Sequence, residues 1–151
     1  MVQKPLRWST SQNERRLLVP VNIRYQGLKN SYCRLVTMSA NLQVAELIQV
    51  PPQANFDDCL DVTAVLYFDI NGDGIADVVQ GVRVKSNRYG TTVVVPVVYL
   101  SNATAKSGYC YSEQAARQVQ PADLRSIDSA KDALEVGKKR IGIAQFECSQ
   151  W

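Results

Sequence analysis

The sequence contains no histidine, and this single absence removes Ser-His-Asp triads, Cys-His dyads, His-ligated zinc and imidazole general bases together. It has only 8 Gly and 6 Pro among 151 residues, against 46% apolar residues, which excludes collagen-like, low-complexity and disordered classes. Such a chain is long enough for one compact domain and too short for two full ones. A large excess of one charge is also missing. Seventeen Lys and Arg against fourteen Asp and Glu leave a formal charge of +3, far from the concentrated positive charge of a dedicated nucleic-acid binder. No apolar run is long enough to span a bilayer; the longest, Val93–Leu100, is interrupted by Pro96.

Four cysteines are present, Cys33, Cys59, Cys110 and Cys148, widely spread and without the C-x-x-C spacing of a zinc knuckle or a thioredoxin-type redox site. Even parity and wide spacing predict two structural disulfides and an oxidising compartment, the alternative being reduced core thiols of a cytosolic protein. The start Met1-Val2-Gln3-Lys4-Pro5 has no apolar h-region. Taken with the cysteines, it is read as a periplasmic or secreted chain whose signal peptide is absent from this sequence.

Residues 1–16, including Trp8, Glu14, Arg15 and Arg16, are polar and aperiodic, and read as an N-terminal arm ordered only where something holds it. Residues 17–151 read as a single domain. Leu17–Tyr25 and Cys33–Met38 form an expected hairpin around the Gly27–Ser31 turn, with Pro20 suited to an edge position. Leu42–Val50 reads as a strand, although a short helix fits almost equally well, and Pro51-Pro52 stops it before a loop holding Asp57 and Asp58. Leu60–Asp69, Ile75–Lys85 and Thr91–Leu100 then form a three-stranded meander, with a turn over Asn87–Gly90.

The pattern next changes period. Ser112–Val119 is rich in helix formers, Pro121 suits a first helical position, and Leu124, Ile127, Ala130 and Leu134 recur at helical steps, with Asp123 at the start, Lys138, Lys139 and Arg140 at the end and Gly137 as the stop. A helical hairpin over 110–140 is expected, with Ile141–Cys148 returning as a strand inside the tail 141–151. The fold class is therefore α+β: an antiparallel sheet of five or six strands over 17–100, followed by a C-terminal helical hairpin. An antiparallel helix pair would bring Cys110 near Cys148 and leave Cys33 for Cys59, one of three pairings that four cysteines permit. The stripe of Leu124, Ile127, Ala130 and Leu134 is either core packing or the seam of a homodimeric four-helix bundle.

The strongest chemical signature is Asp69-Ile70-Asn71-Gly72-Asp73-Gly74-Ile75-Ala76-Asp77, the D-x-N-x-D-G-x-x-D order of a calcium loop. Asp69, Asn71 and Asp73 would supply side-chain oxygens, Ile75 its carbonyl and Asp77 a carboxylate, while Gly74 permits the sharp turn. Such hard oxygen ligands suit Ca2+. Over 69–77 the loop resembles those of EF-hands, dockerins and repeat modules of extracellular proteins. It departs from the EF-hand in having Gln80 at position 12 and strands at its flanks, which argues against a conformational switch; the plain alternative is a hairpin turn built on Asn71-Gly72 and Asp73-Gly74.

Weaker signals are set aside. Lys106-Ser107-Gly108 matches a penicillin-enzyme triplet, but no S-x-x-K nucleophile accompanies it. Asn102-Ala103-Thr104 is a glycosylation sequon. Asp57, Asp58 and Asp61 are read as solvated acids rather than a glycosidase pair, and Arg83, Lys85 and Arg88 as a solvated face.

With no catalytic constellation, the chain is expected to be a non-enzymatic, stoichiometric binder. The order of elements, Leu17–Leu100 as sheet and Ser112–Arg140 as helices, together with the four cysteines, resembles the periplasmic carbapenem self-resistance proteins of enterobacteria. That resemblance implies antibiotic resistance by sequestration of a β-lactam or its target, with C-terminal helices able to pair across a homodimer, and it assigns no site residue. The runner-up is a periplasmic immunity protein or inhibitor of a cell-wall hydrolase, using the Ser101–Gly108 or Pro51–Asp58 loop as a plug. The expected partner is thus a protein target or a small antibiotic ligand.

Overall fold

The computed structural model describes residues 6–9, 15–39, 41, 45–51, 58–86 and 90–150. Among these residues eight strands run in the order β1 (Leu6–Ser9), β2 (Arg15–Arg24), β3 (Ser31–Ser39), β4 (Ala45–Leu47), β5 (Cys59–Phe68), β6 (Asp77–Lys85), β7 (Thr92–Ser101) and β8 (Tyr109–Tyr111). A one-turn helix α1 (Glu113–Ala116), a 3-10 turn (Pro121–Arg125) and the long helix α2 (Ile127–Ile141) follow.

The fold is α+β, but the strands form two four-stranded antiparallel sheets, β1-β2-β3-β4 and β5-β6-β7-β8, in place of one sheet of five or six strands. Burial explains the division. In β3 every second residue from Ser31 to Thr37 is buried, as one covered face requires. In β6 both faces are buried from Asp77 to Val82, so this strand needs cover on two sides. Cys59 stands opposite Val84 and is disulfide-bonded to Cys33 of β3, so the face shared by Val78, Gln80, Val82 and Val84 looks toward the first sheet. The other face receives the helical segment: a Cβ on Gly81 would lie 2.8 Å from Leu124 Cδ1 and 2.7 Å from Thr63 Oγ1. Leu18, Leu35, Val78, Val82, Val98, Tyr99 and Leu134 all join one buried core.

Six strands lie where the hydropathy pattern places them, whereas β1 and β8 lie where no strand is expected. Leu6–Ser9 pairs with β2 in the register Leu6↔Leu18, and that pairing holds this part of the expected arm. Residues 1–5 and 10–14 of the arm, residues 52–57 of the Pro51–Cys59 loop and 87–89 of the Asn87–Gly90 turn lie outside the described residues.

The expected helical hairpin is replaced by one long helix. Ser112 caps α1 by accepting the Ala115 N–H at 3.2 Å, but α1 lasts a single turn. After the 3-10 turn, Ser126 is fully extended (φ −153°, ψ 160°) and its Oγ accepts the Ser129 N–H at 3.1 Å, so α2 starts afresh there. Gly137 does not end it. It is buried inside α2, where a Cβ would lie 2.5 Å from Gln118 Cβ, and the helix stops instead at Gly142 in the left-handed region (φ +70°).

Residues 141–148 are not a strand; the tail after α2 is irregular and returns beside β8, with Ser149 N–H donating to the Tyr111 carbonyl at 2.8 Å. This return, not a helix pair, brings Cys148 to Cys110. The disulfides are Cys33–Cys59 and Cys110–Cys148, with Cα separations of 5.5 and 5.6 Å. No described helix is long and apolar enough to cross a membrane.

Candidate functional site

The Asp69–Asp77 segment links β5 to β6 as a tight loop whose glycines Gly72 (φ +75°) and Gly74 (φ +81°) take the left-handed conformation that the curl needs. Asp69 organises its first half. Its Oδ1 accepts the N–H groups of Gly72 at 2.6 Å and Asp73 at 3.2 Å, and its Oδ2 accepts that of Gly74 at 2.8 Å. Asp73 Oδ1 accepts the Ile75 N–H at 2.8 Å, while its other oxygen takes a short hydrogen bond from the Ser101 hydroxyl. Asp77, the first residue of β6, is fully buried. Its Oδ2 accepts the N–H groups of Ile70 at 2.6 Å and Asn71 at 3.3 Å, and its Oδ1 accepts that of Ser101 at 2.6 Å.

Burial raises the Asp77 carboxyl to about 6, because loss of water outweighs the three amide bonds that favour the anion; the neighbouring Asp73 charge adds to the rise. Tyr109 lies against the same loop, donating its hydroxyl to the Ala76 carbonyl at 2.9 Å, and burial raises its phenol as well. Gln145 of the C-terminal tail reaches back to the Asn71 carbonyl at 3.1 Å. The loop is therefore tied to the end of β7, to β8 and to the tail. Ser101, Tyr109 and Gln145 were not expected at it, because only the tertiary fold brings them there.

Asp69, Asn71, Asp73, Ile75 and Asp77 thus share one loop, with the carboxylates turned toward its own amides and toward Ser101. Among the described residues no three His, Cys, Asp or Glu side chains are gathered in metal-ligating geometry. The donor set nonetheless retains capacity. A carboxylate offers about four lone-pair sites; Asp69 and Asp77 each use three and Asp73 two. Asn71 Oδ1 is buried with no hydrogen-bond partner. No described Lys or Arg forms an ion pair with any of the three carboxylates.

The remaining sequence signals find structural uses. Asp61 receives a two-pronged contact from Arg83 on the neighbouring strand, its Oδ1 accepting from Nε at 2.9 Å. Asp58, in the left-handed region (φ +57°), accepts the Lys85 N–H through its carbonyl at 3.1 Å; Asp57, Arg88 and Tyr89 lie outside the described residues. Ser107 is buried and donates to the Tyr109 carbonyl at 2.9 Å. Asn102 turns its Oδ1 to Thr104 and its amide to Cys148 Sγ at 3.3 Å. Of the helical stripe, Leu124, Ala130 and Leu134 are buried within the chain and Ile127 is exposed, so the stripe packs its own core in place of offering a bundle seam.

Comparison with family models, with curated proteins and with solved structures finds no match to this chain.

Proposed function

We propose that this chain is an exported, non-catalytic binding protein whose Asp69–Asp77 loop takes one calcium ion as a structural clasp. The observation that carries the calcium reading is the donor set: three carboxylates and the unpartnered Asn71 Oδ1 in one nine-residue loop, with no Lys or Arg among the described residues ion-paired to them. Asp69, Asn71, Asp73 and Asp77 would hold the ion with the Ile75 carbonyl, and the ion would supply the missing positive charge. The export reading rests on the two disulfides. Protection by stoichiometric capture of a β-lactam such as a carbapenem, or of its target, the role implied by the resemblance to the carbapenem self-resistance proteins, is the finer form of this proposal.

Thermal unfolding in EDTA and then in calcium, with native mass spectrometry on the same samples, tests the clasp. A site of about 10⁻⁴ to 10⁻³ M affinity adds roughly 1.5–3 kcal/mol at about 10 mM calcium, a rise of several degrees in midpoint. One bound ion per chain, and loss of the rise in Asp73→Asn, are expected; an unchanged midpoint overturns the clasp. Titration of a carbapenem into the protein tests the finer role. A one-to-one complex without drug hydrolysis supports it, whereas turnover of the drug overturns the non-catalytic reading.

A further inference from the structure

The root of the β2–β3 hairpin is clamped and its tip is bare. At the root three links converge on Cys59 of the other sheet: the disulfide from Cys33, the Asn22 amide donating to the Cys59 carbonyl at 3.3 Å, and the Ser31 hydroxyl donating to the same carbonyl at 2.6 Å. Asn22 and Cys33 are direct cross-strand partners, so both strands of the ribbon are held at one level. Beyond the clamp every residue from 24 to 29 is exposed. The turn is closed by Leu28 N–H on the Tyr25 carbonyl at 3.1 Å, with Gly27 at φ +85°.

The tip carries its side chains in a definite order. Tyr25 (49% exposed) and Leu28 (51% exposed) flank the turn, and Arg24 and Lys29 stand one residue behind them, neither in an ion pair among the described residues. The Tyr25 ring is braced edge-on against Tyr32 with centroids 5.7 Å apart. Charge is partitioned along the chain in the same sense: residues 1–45 hold seven Lys and Arg against one Glu, and 46–151 hold ten against thirteen acids. From Arg15 to Ala45 there is no acidic residue at all.

We propose that this hairpin tip docks onto an anionic lipid surface, with Tyr25 and Leu28 entering the boundary between headgroups and acyl chains and Arg24 and Lys29 lying on the lipid phosphates. An aromatic and an aliphatic side chain at the extremity, with cations just behind, match the polarity gradient of that interface, where aromatic rings settle at headgroup depth and cationic side chains reach back to phosphate. The tip is exposed throughout and its charged side chains, Arg24 and Lys29, are both cationic, which suits a laterally uniform anionic surface. The proposal does not depend on the calcium loop, which lies at the other end of β5.

The test is co-sedimentation of the oxidised protein with vesicles of phosphatidylcholine alone and with about one third phosphatidylglycerol. Binding to the anionic vesicles only, weakened by added salt, is expected. Both Arg24→Gln/Lys29→Gln and Tyr25→Ser/Leu28→Ser should reduce partitioning about tenfold or more, the first through lost phosphate attraction and the second through lost apolar anchoring. Arg125→Gln/Lys139→Gln, an equal loss of charge on the helical layer, should change it less than about twofold. Unchanged thermal midpoints establish that each variant folds. No binding to anionic vesicles overturns the proposal, as does binding indifferent to Tyr25 and Leu28. Retention by an oligonucleotide or by polyglutamate in the absence of vesicle binding overturns it in favour of those partners.

Discussion

Asp77 Oδ1 accepts the backbone N–H of Ser101 at 2.6 Å, so a carboxylate with no solvent exposure at the start of β6 ties down the end of β7. The same carboxylate holds the N–H groups of Ile70 and Asn71, which makes it the hub of the candidate calcium loop. Its ionisation is therefore felt by two strands and a loop together.

In metal-free protein this gives a pH dependence of fixed sign. Asp77 is raised from 3.8 to about 6, so the folded state holds the proton more tightly than the unfolded chain. The stability contributed by protonated Asp77 is complete below about pH 4 and is lost as pH rises through about 6, a loss of order 2–3 kcal/mol. Urea unfolding in EDTA at pH values from 4 to 7 should show this component in the wild type and not in Asp77→Asn. Parallel curves for the two proteins would remove Asp77 from the account. Calcium should reverse the trend above pH 6, because it binds the ionised form.

The two disulfides close segments of 26 and 38 residues. In the chain-entropy model each contributes about 3–4 kcal/mol by restricting the unfolded state. Cys33→Ala/Cys59→Ala should lower the denaturant midpoint accordingly. Because the same pair anchors the β2–β3 hairpin, amide exchange over Asn22–Ser31 should rise more than exchange in β6 and β7. Equal rises throughout would show that the clamp is not local.

Gly137 sits where α2 crosses the turn after α1, and a Cβ there would lie 2.5 Å from both Cβ and Cγ of Gln118. Gly137→Ala gains about 1 kcal/mol of helix propensity but must displace Gln118. A net loss of about 1–2 kcal/mol in chemical unfolding is expected from such overpacking. Gln118→Gly in the same chain should recover most of it. A stabilised Gly137→Ala would mean that the helix shifts at little cost.

Gln80 is completely buried between the sheets, and neither its Oε1 nor its Nε2 has a hydrogen-bond partner. Replacing an unsatisfied buried amide with an apolar side chain of similar volume removes a desolvation cost of about 1–3 kcal/mol. Gln80→Leu should therefore raise the thermal midpoint. A fall would show that the amide is satisfied in solution, by interior water for instance.

Much of the β architecture is legible in the chain because it depends on neighbours a few residues apart. β3 and β5 to β7 follow from β-branched and apolar runs bounded by turn residues, and the Asp69–Asp77 loop from the spacing of its acids and glycines. β8 is three residues long and too short to show a period, so it is defined by its pairing with β7. The helical hairpin fails for a related reason. Leu124, Ala130 and Leu134 carry helical spacing across Ser126, yet the backbone is extended at that residue because a serine side chain satisfies the new helix's first free N–H groups better than a continuous helix would.

What the amino-acid order determined by itself is therefore local: strand and turn positions, an acidic loop with the conformational freedom to curl, and cysteines in number and spacing for two bridges. Tertiary structure decided what those pieces meet. It divided the eight described strands into two sheets of four by covering both faces of β6, returned the tail beside β8 so that Cys148 reaches Cys110, and brought Ser101, Tyr109 and Gln145 to the acidic loop. Those contacts join residues tens of positions apart, where side-chain period carries no information and only burial and hydrogen-bond satisfaction select the partner.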